Sequence, residues 1–306
     1  MLVGVLARLD VWSPANFRAQ AFVQRRRTLL VVASFSIGTL VTLASLLGLL
    51  TSWPYKQETE NWVLQARGQD IGNLLAVVVL IMSTIRVRAG MSRATQLWIG
   101  TLFYLLYAYV VYAFAVHFNR LFLVCVTILG LVVYSLIAAL PMSARPSVYP
   151  RGRVRVFAGW VLIGTGALFA LLWLSELVPA SVSGQAPPSL EVAGLIVNPV
   201  HVIDLSVVLP GMIVIGVLAL RGNETGLFLT VPALIFSVLM GLSIIAAMVL
   251  IVGSGDTSGF VPMVTVSVVV GASLIAAIGF ARRFREARLP EAEESRRGGE
   301  RFQRNR

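Results

Sequence analysis

The chain is predicted to be an all-α integral membrane protein of eight transmembrane helices, and three observations carry that prediction. Of its 306 residues, 57% are hydrophobic and 13% charged, with a mean hydropathy of +0.84. Soluble domains carry roughly 25% charged residues. Apolar runs near twenty residues recur, and about twenty residues at 1.5 Å each cross a hydrocarbon core of about 30 Å. The basic residues fall in short segments between those runs, which is a topology signal. The net charge of +11 therefore does not point to nucleic acid.

Spans are expected near 28–50, 70–86, 97–117, 120–140, 156–177, 201–220, 226–250 and 260–281. With the N-terminus inside, 22 of the 25 basic residues lie on the inner side, and only Lys56, Arg67 and Arg120 lie outside. That asymmetry predicts a bacterial cytoplasmic membrane protein with both termini in the cytoplasm. Dropping one span would scramble the alternation.

In chain order, residues 1–27 form an N-terminal segment. Its apolar piece Leu2–Leu6 is too short for a signal-peptide core. Leu2, Val5, Leu6 and Leu9 share a helical face suited to the interface. Ser13-Pro14 resembles an N-cap followed by a first-turn proline. The membrane domain runs over 28–281 and the basic tail over 282–306. Arg282-Arg283-Phe284-Arg285 is expected to meet anionic headgroups on the cytoplasmic side, and the rest of the tail to be disordered. In the outer connection 51–69, Trp53, Tyr55 and Trp62 suit the interface. Residues 178–199 read as an irregular loop, and His117–Arg120 as an almost absent turn. The single cysteine, Cys125, lies in an apolar run and reads as a packing residue.

Halves 28–140 and 156–281 share a layout: a long helix out, a long outer loop, a polar-capped helix in and a helical hairpin. This predicts a parallel 4+4 internal repeat about an axis along the membrane normal. Two polar helix starts would correspond, Gly68-Gln69-Asp70-Ile71-Gly72-Asn73 and Asn198-Pro199-Val200-His201-Val202-Ile203-Asp204.

These stretches hold the candidate chemistry. Ionisable groups in membrane helices are costly and mark functional pathways by default. At a helix N-terminus, however, a carboxylate also caps free N–H groups and complements the dipole. In the functional reading, Asp70 and Asp204 converge across the axis, with His201 one turn from Asp204, to bind a cation or exchange a proton. Asn73 and Glu176 accompany them. In span three, Tyr104, Tyr107 and Tyr112 share an arc of about 140°. Tyr107 is too deep for the aromatic belt, so it and Tyr112 either line a polar cavity or pack between helices. Pro210-Gly211 interrupts span six, as in the kinked helices beside transporter sites. Gly164 and Gly166 would permit close helix approach. Two histidines and dispersed acids form no recognised metal spacing, and no nucleotide loop, nucleophile elbow, H-E-x-x-H or C-x-x-C occurs. No cofactor is implied.

Gly68-Gln69-Asp70, Leu105-Leu106-Tyr107-Ala108-Tyr109 with Phe118-Asn119 and Leu121-Phe122-Leu123, and Pro199-Val200-His201-Val202-Ile203-Asp204-Leu205 resemble a recurring pattern in bacterial multi-pass membrane proteins. The resemblance covers roughly residues 65–225 and implies no activity. That pattern has proline where Arg120 stands here, which sets Arg120 apart from any shared chemistry.

The leading expectation is small-solute or ion binding or transport through a polar pocket open to the extracytoplasmic side, between spans two, three and six. A membrane-embedded enzyme on a lipid or lipid-linked substrate is the alternative, and would need His201 to reach a second polar group within about 3 Å, directly or through one water. A non-catalytic sensor or partner subunit is the third.

Overall fold

A computed structural model describes residues 14–88, 92–139 and 147–286. Eight helices are long and apolar enough to cross a membrane. They are α1 (Pro14–Leu50), α2 (Glu60–Arg88), α3 (Ser92–Ala115), α4 (Phe122–Ala139), α5 (Arg153–Ser183), α6 (Pro199–Arg221), α7 (Glu224–Gly253) and α8 (Phe260–Arg283). The chain is a membrane protein by this measure. The apolar piece at Leu2–Leu9, the cap residue Ser13 and the tail from residue 287 lie outside the described residues. The helix itself begins at Pro14, where a missing N–H costs nothing.

The helices pack in two closed rings. In the first, α1 meets α2, α2 meets α3, α3 meets α4 and α4 returns to α1. In the second, α5 meets α6, α6 meets α7, α7 meets α8 and α8 returns to α5. The rings join where α7 packs on α2 and α3. Burial follows from this: α3 is 56% buried and α7 44%, against 22% for α5 and α6. The central helices therefore carry the interior polar groups, and the peripheral ones present apolar side chains such as Leu171, Val207 and Val268 outward.

Small residues make the seam between the rings. A Cβ at Gly68 would overlap the backbone of Ala247, and one at Gly72 would strike Ser243 and the Tyr104 hydroxyl. Gly68 and Gly72 are four apart, as are Ser243 and Ala247, so two small-residue stripes face each other and the backbones close up. The same device recurs between α5 and α6, where Gly159 meets Gly216 and Gly166 meets the Leu209 carbonyl. Gly164 is a correction: nothing lies within 4 Å of a Cβ there, so it permits no close approach.

Several boundaries differ from the sequence reading. α2 starts at Glu60, ten residues before the expected start. Its first turns carry Glu60, Asn61, Gln65 and Arg67, of which Glu60 is exposed and Gln65 donates to Asn61 one turn back on the same helix. Asp70 is therefore a helix-interior residue and not a cap. The third-to-fourth turn spans residues 116–121 and is anchored: Asn119 Nδ2 donates to the Pro54 carbonyl at 3.0 Å. α5 continues through Pro179 to Ser183. The loop after it contains a short helix, Pro188–Ala193, opened by Pro187 and Pro188 and closed by Gly194 at φ 69°. The caps of the second half are Asn198, Asn223 and Asp256, whose side chains accept from Val200, Gly226 and Ser258 N–H groups. Asp204 is no cap either.

At the opposite end of the bundle, Ser147–Val148 pairs antiparallel with Arg285–Glu286. Arg93 holds this junction, donating to the Phe284 carbonyl at 2.9 Å and the Arg282 carbonyl at 3.3 Å. Phe284 is buried against Tyr149, while Arg282 and Arg283 stay exposed.

Gly68→Ala is expected to lower stability by about 1–3 kcal/mol, the usual cost of over-packing. Gly164→Ala should be neutral or up to about 1 kcal/mol stabilising, since alanine favours the helix. Thermal unfolding of the purified protein in detergent, followed by tryptophan fluorescence, checks the contrast.

Candidate functional site

α6 opens with Asn198 capping and Pro199 in the first turn. Pro210 follows in the same helix; it offers no N–H to the carbonyl four residues back, and its ring crowds that carbonyl. The helix answers by widening: Asp204–Val208 is a π turn, in which the Leu209 N–H bonds the Asp204 carbonyl. Such turns are rare and frequent at functional sites. Asp204 sits at the start of this turn, 9% exposed. Its Oδ2 accepts the Trp173 indole N–H at 2.8 Å, and the Tyr107 hydroxyl also faces it.

Asp204 lines a cavity of about 480 Å³. Its walls come from α2, α3, α5, α6, α7 and α8. Trp62, Gln65, Val116, Glu176, Val200, Met248 and Pro262 ring the end toward residues 51–59 and 184–198. Thr165, Met212, Phe236 and Ser237 form its floor, near mid-bundle. The lining is chiefly Val, Leu, Met and Phe, so the expected polar pocket is an apolar cavity with a few placed polar groups. Two carboxylates, Asp204 and Glu176, are among them, and no arginine, lysine or histidine lines it among the described residues.

Tyr107 and Tyr112 both line this cavity, as the shared arc on α3 allowed. Tyr104 points elsewhere, accepting from Gln69 Nε2 at 2.7 Å, while Ser243 donates to Gln69 Oε1 at 2.9 Å. Asn73 is fully buried beside this cluster, accepts from Gln69 at 3.4 Å and does not line the cavity.

Asp70 does not share the Asp204 chamber, which corrects the expected convergence. Tyr112 stands between them and lines both spaces. Asp70 is 2% exposed and occupies a separate chamber of about 20 Å³. Its Oδ2 accepts the Tyr55 hydroxyl at 2.7 Å and its Oδ1 the Tyr112 hydroxyl at 2.9 Å. Burial, and then the Asp70 charge, push the Tyr55 phenol well above its ordinary range, so it stays a donor.

His201 also departs from the expected pair. Its ring packs against Trp173 at 4.6 Å between centroids and opens to a different groove beside Asn198 and Val202. Trp173 thus divides His201 from the Asp204 cavity. A hydrogen-bonded partner for a His201 base, which the enzyme reading requires, is not formed among the described residues. His117 instead binds Glu58: its backbone N–H donates to Glu58 Oε1 at 2.8 Å and its ring Nδ1 lies 3.0 Å from the same oxygen. That contact ties the 51–59 connection to the α3–α4 turn. Glu176 Oε1 accepts the Ser189 N–H at 3.4 Å, linking α5 to the short helix above the cavity. No group of three or more His, Cys, Asp or Glu that could hold a metal occurs among the described residues.

Sequence reasoning missed Trp173, Gln69, Tyr55 and Glu58 as partners. Gln69 and Tyr55 stood in stretches already singled out, and a search for donors to each buried carboxylate would have raised them. Trp173 carries no such signal, because the α5–α6 register is tertiary.

Trp173→Phe keeps a ring against His201 but removes the donor to Asp204. An unsatisfied buried acceptor costs about 1–3 kcal/mol, and the thermal unfolding midpoint should fall accordingly. Leu171→Phe, on the exposed face of the same helix, should leave the midpoint unchanged.

No family model, curated protein or solved structure matches this chain.

Proposed function

We propose that the protein binds and translocates a small amphipathic solute with a cationic or hydrogen-bond-donating head. The observation that carries this reading is the cavity's asymmetry: two carboxylates, and no arginine, lysine or histidine among the described residues, in a mainly apolar wall. A cavity of 300–1,000 Å³ suits a small organic ligand, and a few polar groups fix its orientation. Trp62, Trp173, Tyr107 and Phe236 add aromatic faces, which attract cations. An anion would meet two carboxylates there and no opposing charge among the described residues.

The inner excess of arginine supports a bacterial cytoplasmic membrane, cytoplasmic termini and a cavity mouth on the extracytoplasmic side. The exposure of Arg282 and Arg283 supports contact with anionic headgroups on the inner face. The matching closed rings α1–α4 and α5–α8 support a parallel 4+4 repeat. The widened turn at Asp204–Val208 supplies a joint in the helix that carries the cavity's buried acid, where hinge motion would alter the site.

The test compares benzyltrimethylammonium with neopentylbenzene, its uncharged isostere, and with benzenesulfonate. Calorimetric titration into the protein in nanodiscs should give the cation at least about tenfold tighter binding than the isostere. Asp204→Asn should abolish that preference. Equal binding of cation and isostere, or preference for the sulfonate, would refute the reading.

A further inference from the structure

We propose that Tyr55, Asp70 and Tyr112 form a proton-binding site with its own access chamber, separate from the solute cavity. Its existence stands apart from the solute reading; only its coupling to transport rests on that reading.

The Tyr112 hydroxyl has two acceptors in reach. The Tyr112 hydroxyl lies 2.9 Å from Asp70 Oδ1 and 3.1 Å from the Ala66 carbonyl. A phenol has one O–H, so it serves one of these acceptors well at a time. With a proton on Asp70 Oδ1, the carboxyl donates to the Tyr112 oxygen, and the Tyr112 proton turns to Ala66. Both acceptors are then satisfied with no movement of heavy atoms. Without it, Tyr112 donates to Oδ1 and Tyr55 to Oδ2. The pocket therefore fits two states that differ by one proton.

Nothing nearby supplies an ion pair instead. The groups facing Asp70 are Tyr55 from the connection, Ser45 from α1, Arg67 from its own helix, Tyr104, Tyr109 and Tyr112 from α3, and Cys125 from α4. Arg67 makes no ion pair with Asp70, and its Nε is buried without a hydrogen-bond partner. The wholly buried Ser45 hydroxyl also faces the carboxylate, as a neutral donor and not a counter-charge. A buried carboxylate without an ion pair is costly in a membrane domain unless its charge is removed or shared.

Access is built in. The chamber of about 20 Å³ has room for one water, by the usual measure of about 10–15 Å³ per molecule. Its outer rim includes His117 and Asn119, and the His117 side chain is 51% exposed. The chamber thus runs from the exposed His117 to the buried Asp70 carboxylate. Tyr112, lining both spaces, joins the proton site to the solute cavity.

Infrared difference spectra of the protein in nanodiscs, taken across a pH titration without any solute, test this. The expected result is a protonated-carboxyl C=O band that grows as pH falls, disappears in Asp70→Asn and persists in Asp204→Asn. In Tyr112→Phe the band should remain but move to higher frequency, because one hydrogen bond is gone. Should Asp70→Asn fail to fold, the wild-type titration and the Tyr112→Phe shift still decide the matter. A titrating band indifferent to both substitutions, or none at all, would overturn the proposal. So would loss of the band on adding sodium at constant pH, which would make the site an alkali-cation site. Since no solute is used, failure of the calorimetric test leaves this result standing.

Discussion

A carboxylate withdrawn from water inside a membrane domain must find donors, and the buried acids of this protein find aromatic ones. Asp70 takes two phenols and Asp204 an indole, and neither takes an arginine. The consequences reach the architecture. Tyr112 must cross to α2, which holds α3 against it. Trp173 must reach α6, which fixes the register of α5. Tyr55 must sit deep beneath the first connection, and that seats the loop which Glu58 then locks to His117. Aromatic donors differ from basic ones in leaving the acid's charge uncancelled. The sites stay responsive to whatever proton or cation arrives.

The other half of the design is close packing. Gly68 and Gly72 bring α2 onto α7 so tightly that Gln69, between them in sequence, meets Ser243 and Tyr104. This polar cluster lies beside the cavity and stiffens the seam between the two rings. Space opens on the side of the seam where Phe236, Met240 and Met212 leave a void, so cavity and seam are products of the same arrangement of small and large residues.

Eight apolar runs, their order and the loop arginines could be read directly from composition, because the bilayer imposes length and hydropathy on every span. The first turns of α2 could not. Glu60, Asn61, Gln65 and Arg67 lower the local hydropathy, although the helix runs through them without a break. Asp204 and Asp70 stood out as rare ionisable groups, Tyr107 as a deep phenol and Tyr112 as its neighbour on the same arc. Their partition into two chambers was illegible, since it depends on the α2–α3–α7 contact and not on any spacing along the chain. His201 misled for a similar reason: three residues from Asp204 is one turn, but the Trp173 ring comes between them from another helix.

The claim on which the functional reading stands is an acid-lined cavity, with no basic side chain among its described residues, reachable from the extracytoplasmic side. Cysteine labelling addresses it with Met240→Cys on a Cys125→Ala background, in intact spheroplasts. Two impermeant thiosulfonates are compared, one bearing a trimethylammonium group and one a sulfonate. The expected result is modification from outside, with the cationic reagent faster by about tenfold or more after correction for intrinsic reactivity. Equal rates, a faster sulfonate, or protection from both reagents would contradict it.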